Sequence, residues 1–184
     1  EIKKEEEMIL LAFNKPVGIV CTAAKDEKDN IVDYIHYPKR IYPVGRLDKE
    51  STGLLLLTNN GQLMDDVLRG SNYHEKEYIV HVNKPITDSV LQAMAQGVPI
   101  LDTITRPCKI RRMGKDCFYI TLTQGLNRQI RRMCEYFDYR FTSLKRIRIM
   151  NIELGSLPVG KWRELTPSEI KTLKNLAQNK GEAE

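Results

Sequence analysis

Nothing in this 184-residue chain is apolar over enough length to span a bilayer. Its most apolar stretch, Gly53-Leu54-Leu55-Leu56-Leu57, falls far short of the roughly 20 residues a spanning helix needs. No charged-then-apolar leader opens the chain; Glu1 to Glu7 is acidic and helix-friendly. A cytoplasmic protein without membrane contact is therefore expected. The first residue is not methionine, as in a piece of a longer protein. The four cysteines, Cys21, Cys108, Cys117 and Cys134, contain no C-x-x-C pair, and His36, His74 and His81 do not cluster with them. A metal site is not expected, and reduced thiols are. There is no phosphate-loop motif, internal repeat or low-complexity linker.

What is present is a chain with a real core. Hydrophobic residues make up 41% and charged residues 29%, the composition of a globular domain. The net charge of +5 is unevenly spread. Residues 1–92 hold 12 Lys and Arg against 15 Asp and Glu, a net of −3; residues 93–184 hold 17 against 9, a net of +8. Between Arg106 and Arg148, 12 basic residues face only Asp116, Glu135 and Asp138. Such a block reads as a surface for a polyanion, with a merely solvated basic face as the even-odds alternative.

The patterning predicts strands over Ile9–Phe13, Gly53–Thr58, Lys76–Val82, Thr105–Arg112, Phe118–Thr123 and most of Phe141–Leu154. It predicts helices over Ile31–Tyr37, Gln62–Leu68 (stopped by Gly70), Thr87–Ala95, Asn127–Phe137 and Ser168–Leu176. Tyr42-Pro43-Val44-Gly45 reads as a turn. Strands and helices in mixed order, with hairpin-like pairs, indicate an α+β fold on a largely antiparallel sheet. One domain is expected over 1–184, with its core at 8–166 and flexible ends at 1–7 and 177–184.

Three clusters bear on chemistry. Gly45-Arg46-Leu47-Asp48 is a turn leading into the leucine strand, where an aspartate could act as nucleophile or general base. Alone, it is more often a turn aspartate bonded to its own backbone. Tyr78, in Lys76-Glu77-Tyr78-Ile79-Val80, could stack on a base, although a lone strand tyrosine is usually core. Gly125 to Met133 opens a helix carrying Asn127, Arg128, Arg131 and Arg132. Arg131 borders the apolar stripe and wants a carboxylate, for which Glu135 at i+4 is the ordinary choice. Arg128 and Arg132 repel at i+4, which favours an anionic partner.

The three clusters in this order resemble the pseudouridine synthases, in the branch that modifies ribosomal RNA. The resemblance rests on Gly45-Arg46-Leu47-Asp48 with Ser51 to Asn59, on Lys76-x-Tyr78, on Asn127 to Met133 and on Leu144-Lys145-Arg146-Ile147-Arg148-Ile149, and runs from about Ile9 to Leu165. It implies a catalytic domain with a mixed, mostly antiparallel sheet flanked by helices and a cleft across that sheet. It implies isomerisation of uridine to pseudouridine in structured RNA, ribosomal RNA of the large subunit before transfer RNA, by a monomer without cofactor or metal. Asp48 would be the essential carboxylate, Arg131 the guanidinium that keeps it ionised, and Tyr78 the platform under the target uracil. Arg46 would fill the place the flipped base vacates, Leu144 would form an apolar wall, and Asn127, Arg128, Arg132, Lys145 and Arg148 would meet the RNA. The amino-terminal S4-type RNA-binding domain of such enzymes has no counterpart before Ile9.

Two other classes compete. A non-catalytic RNA-binding or ribosome-assembly module of the same fold would not need Asp48. A retaining glycosidase would pair Asp48 with Glu50, which strand alternation would put on one side, but the arginine-rich segment argues against a neutral sugar.

Overall fold

A computed structural model of the chain describes residues 7–22, 24, 26–69 and 73–178. The expected stop at Gly70 and most of both expected flexible ends lie outside these residues. In chain order the described elements are β1 (Leu10–Lys15), α1 (Ile31–Ile35), β2 (Tyr42–Val44), β3 (Thr52–Thr58), α2 (Gly61–Leu68), β4 (Lys76–Val82), α3 (Asp88–Gln96), β5 (Pro99–Ile100) and β6 (Thr103–Ile104). They continue with β7 (Lys109–Gly114), β8 (Cys117–Leu122), α4 (Gln129–Tyr136), β9 (Phe141–Ile149), β10 (Ile152–Glu153), β11 (Trp162–Glu164) and α5 (Pro167–Gln178). No described helix is long and apolar enough to cross a membrane.

The run Leu54-Leu55-Leu56-Leu57 has no polar position because β3 has a core on each face. Leu54 and Leu56, with Leu10 and Ala12 of β1, pack under α2 and α5 through Leu63, Val67, Leu173 and Ala177. Leu55 and Leu57, with Leu11 and Phe13, pack against Ile31 and Ile35 of α1. A third core joins Val80, Phe118, Ile120 and Leu144 to Met94 of α3 and to Ile130 and Met133 of α4.

The main sheet runs β11-β1-β3-β9-β4-β8-β7, with β2 also on β3 and β10 on β9. Its strand pairs are antiparallel except β3 with β9, where Thr52 and Gly53 face Lys145 and Arg146. Strand β3 thus gives one whole edge to β1 and divides the other. Strand β2 takes Leu56 to Thr58, β9 takes Thr52 and Gly53, and Leu54 lies between them. The Leu54 carbonyl accepts from Arg146 Nε at 2.8 Å, so one side chain closes the gap between two strands. Gly53 makes this approach possible. Its φ is +105°, and a Cβ there would stand 2.2 Å from the Arg146 carbonyl oxygen.

Three of the differences from the sequence expectation have a clear local cause. Tyr42–Val44 is a strand, and Pro43 is tolerated there because β2 is a short flanking strand. Strand β7 starts at Lys109 rather than Thr105, because Thr105 spends its backbone N–H and hydroxyl on Val98. Helix α4 starts at Gln129 rather than Asn127: Arg128 is left-handed, with φ 49° and ψ 41°.

Candidate active site

The segment from Gly45 to Ser51 crosses the seam where β3 meets β9. Gly45 turns it with φ +84°, and buried Leu47 anchors it, donating its N–H to Cys21 Sγ at 3.3 Å. Ser51 N–H donates to the Asp48 carbonyl at 2.9 Å, closing a turn over 48–51. The backbone closes this turn, not the Asp48 side chain. Among the described residues the half-buried Asp48 carboxylate has no hydrogen bond or ion pair. Because 48–51 is a turn, strand alternation does not relate Asp48 to Glu50, and Glu50 is occupied by Arg131 at 3.4 Å. The carboxylate pair of the glycosidase reading is therefore not assembled.

Lys15 holds this turn from behind. It is fully buried, and its ammonium donates to the carbonyls of Pro16 (3.0 Å), Lys49 (3.2 Å) and Ser51 (2.7 Å). Burial pulls it below the usual lysine range, against the opposing charges of Cys21, Glu50 and Asp48. Its sequence signal was a lysine ending a strand in which the only other polar residue is Asn14.

A second cation, Arg146, also reaches this segment. Arg146 is 3% exposed. Besides Leu54 it reaches the Arg46 carbonyl with Nη1 at 3.4 Å, while its buried Nη2 has no partner. Arg131 stands 40% exposed, pairing with Glu50 at 3.4 Å and Glu135 at 3.3 Å over the Phe141 ring. Its expected link to Asp48 is not made; the i+4 pair with Glu135 is. The signal for Arg146 was alternation in the middle of β9: Leu144 and Arg146, two residues apart, are both buried, and Lys145 between them is exposed.

Tyr78 sits opposite Arg146 across the β4–β9 pairing, half-buried where two of the cores meet. Leu144, beside them, is buried opposite Val80. Lys76 begins the same strand. Burial, then the Arg146 charge, pull its ammonium down to about 8.

The remaining expected contacts divide. Arg46, Arg128 and Lys145 are exposed, and none has an ion pair among the described residues. Arg132 is tied to Asn127, through Nε to its carbonyl and Nη2 to its Oδ1, both at 3.0 Å. Arg148 bonds the Met150 carbonyl at 2.7 Å and pairs with Glu75 at 3.4 Å and Glu77 at 3.5 Å. Among the described residues no group of three or more His, Cys, Asp or Glu side chains could hold a metal ion.

Residues 9–136 match the family described as RNA pseudouridylate synthase. A Salmonella typhi protein named dual-specificity RNA pseudouridine synthase RluF is 53% identical over 178 residues, which cover 97% of this chain and 62% of that protein. The chain thus spans less than two thirds of that relative's length. A Bacillus subtilis protein named ribosomal large subunit pseudouridine synthase B is 33% identical over 97% of this chain and 76% of its own length. A crystal structure described as a pseudouridylate synthase superposes with a TM-score of 0.85 at 31% identity, covering 92% of this chain and 75% of that one.

Proposed function

From the premise that this chain belongs to the RNA pseudouridylate synthase family, we propose that it isomerises uridine to pseudouridine in structured RNA, with Asp48 as its essential carboxylate. The observation that carries this reading is the Asp48 carboxylate itself: half-buried, left unbonded by its own turn, and carried on a segment whose Arg46 carbonyl accepts from the buried Arg146 guanidinium.

The reaction breaks the N1–C1′ bond, turns the uracil and joins C5 to C1′. The proton on C5 is lost and N1 gains one, so nothing is added overall and no cofactor is called for. Three first steps draw on the same ionised carboxylate: attack at C1′, attack at C6, or removal of a sugar proton. Each needs the carboxylate charged and fixed in a pocket closed to water. Arg146 suits that task better than Arg131, because it is buried, permanently charged and has a free Nη2. Arg131 instead holds Glu50, and through it the far side of the turn.

Tyr78 gives the uracil a stacking face, with Leu144 as the apolar wall beside it. Arg46, exposed next to Asp48, reaches into the place the flipped base leaves. Arg128 and Lys145 are the phosphate contacts, while Asn127 and Arg132 brace each other at the head of α4. We propose residues 8–166 as one catalytic unit, working as a monomer in the cytoplasm. The substrate proposed is large-subunit ribosomal RNA, named for the Bacillus subtilis relative, with transfer RNA second.

The test is pseudouridine mapping of an unmodified large-subunit ribosomal RNA transcript incubated with the protein. Wild type converts discrete uridines; Asp48→Asn loses on the order of a thousandfold in rate while still binding the RNA. Conversion at the normal rate by Asp48→Asn sinks the assignment.

A further inference from the structure

Lys76 is not accounted for by the site as described. It lies two residues before Tyr78 on β4, so both side chains leave the same face of the sheet. Its cross-strand neighbours are Leu122 on β8 and Ile149 on β9, both buried and apolar. Its ammonium has no hydrogen bond or ion pair among the described residues.

None of the charged groups around it is bonded to its ammonium; the Asp66 carboxylate acts on the neighbouring His74. From β9, Arg146 repels it. Within its own segment, its charge and that of His74 oppose each other. Glu75 and Glu77 alternate to the other face and are held by Arg148, Glu75 also by Lys109. On β8 its partner is Leu122. The nearby carboxylates Asp48 and Glu50 act on Lys15. Two cations, Lys76 and Arg146 with its unpartnered buried Nη2, therefore stand together without an ion pair of their own, which is costly unless a ligand supplies an anion.

Resting on the pseudouridine synthase reading, we propose that Lys76 is a further substrate contact: its ammonium binds a non-bridging phosphate oxygen beside the flipped uridine, fixing that sugar against Tyr78 and Arg146. The chemistry selects phosphate, since the base and ribose of a uridine are neutral near pH 7 and the phosphodiester is the anionic group a nucleotide brings. The ordinary alternative is a lysine whose stem fills an apolar gap while its head reaches water.

The lowered ammonium makes the two separable. In the free protein Lys76 gives up its proton as pH rises through about 8. Phosphate binds the protonated form, so the contact is complete below that value and weakens above it.

The experiment uses the full chain and an unmodified large-subunit ribosomal RNA transcript, with wild type, Lys76→Met and Lys76→Arg, from pH 6.5 to 9.5 and over a potassium chloride series. At pH 7 Lys76→Met is expected to raise KM about tenfold with kcat changed far less, and to lower the slope of log affinity against log salt by about one. Lys76→Arg restores both. The wild-type KM climbs above pH 8, and that of Lys76→Arg does not. A Lys76→Met protein with wild-type KM and slope overturns the proposal. So does a raised KM with an unchanged slope, or failure of a folded Lys76→Arg protein to restore binding. The same binding series on an Asp48→Asn background separates this inference from the catalytic reading. Lys76-dependent binding that persists there supports the phosphate contact, whether or not Asp48→Asn turns over.

Discussion

Strands β1 and β3 are buried on both faces, whereas β4, β7 and β9 each keep polar or basic side chains in reach of solvent. The charge divides later in the chain, net −3 over residues 1–92, which include β4, and net +8 over 93–184. The first half of the sheet supplies one carboxylate on a turn braced by Lys15. The second supplies the tyrosine and the cations. Neither half holds a site alone, and the two meet over the short β3–β9 pairing and the bonds of one arginine. Rigidity is concentrated where a single group is placed, and charge where the proposed RNA would be received.

Gly53→Ala should break this division most severely. The new methyl group meets the Arg146 backbone in a strained φ region, so a loss of about 3 kcal/mol or more is expected. Urea denaturation measures it, and a loss below about 1 kcal/mol would mean the seam is loose.

Arg146 and Arg131 sharpen the contrast between seam and surface. Arg146→Met strips donors from the Leu54 and Arg46 carbonyls and should cost about 2–4 kcal/mol. It should also reduce pseudouridine formation on the order of a hundredfold. Arg131→Met removes only half-exposed pairs, worth about 1 kcal/mol or less, and its rate should fall less than tenfold. If Arg131→Met proves the more damaging in single-turnover assays, the assignment of the supporting cation reverses.

The smallest effect tests the scaffold half alone. Glu169 forms a two-point pair with Arg163 at 2.7 and 2.9 Å, beside the start of α5. That hydrogen bonding holds its carboxyl at about 2. A depressed folded value stabilises the protein above the ordinary value, near 4.5, and the benefit fades as pH falls toward 2. Glu169→Gln should lower the melting temperature by about 2–4 °C at pH 7, with the gap from wild type closing below pH 4.5. A constant gap across that range would assign the effect to packing instead.

Much of this was legible in the sequence, for identifiable reasons. Period-two alternation fixed Lys76–Val82 to the residue, because β4 pairs on both sides and its side chains have distinct faces. The four leucines of β3 betrayed a strand with two cores. The helix at 88–96 announced itself by Thr87, whose hydroxyl accepts from Val90 N–H at 3.2 Å, and by Gly97 at its end. The motif that carries Asp48 was visible as a turn before a buried strand. What sequence could not rank was one arginine against another. Arg131 bordered an apolar helical stripe, and Arg146 lay in a run of basic residues that looked like surface. Only the division of the β3 edge between β2 and β9 creates a buried socket for a guanidinium, and that is a long-range fact. Lys15 was hidden likewise, since its three acceptor carbonyls come from two segments more than thirty residues apart.

The socket also has a meaning in time. Arg146 and Leu54 are 92 positions apart in the chain, so on a ribosome the carboxylate-bearing half emerges well before its partner strand. Contacts of such separation form late, and until β9 arrives, part of the leucine strand's second edge stays open. A chain halted before residue 141 should be inert and, worse, sticky, since an unpaired apolar edge recruits other chains. The socket is thus a checkpoint in chain order: the site proposed around Asp48 is not assembled until β9 has been made and has paired with β3.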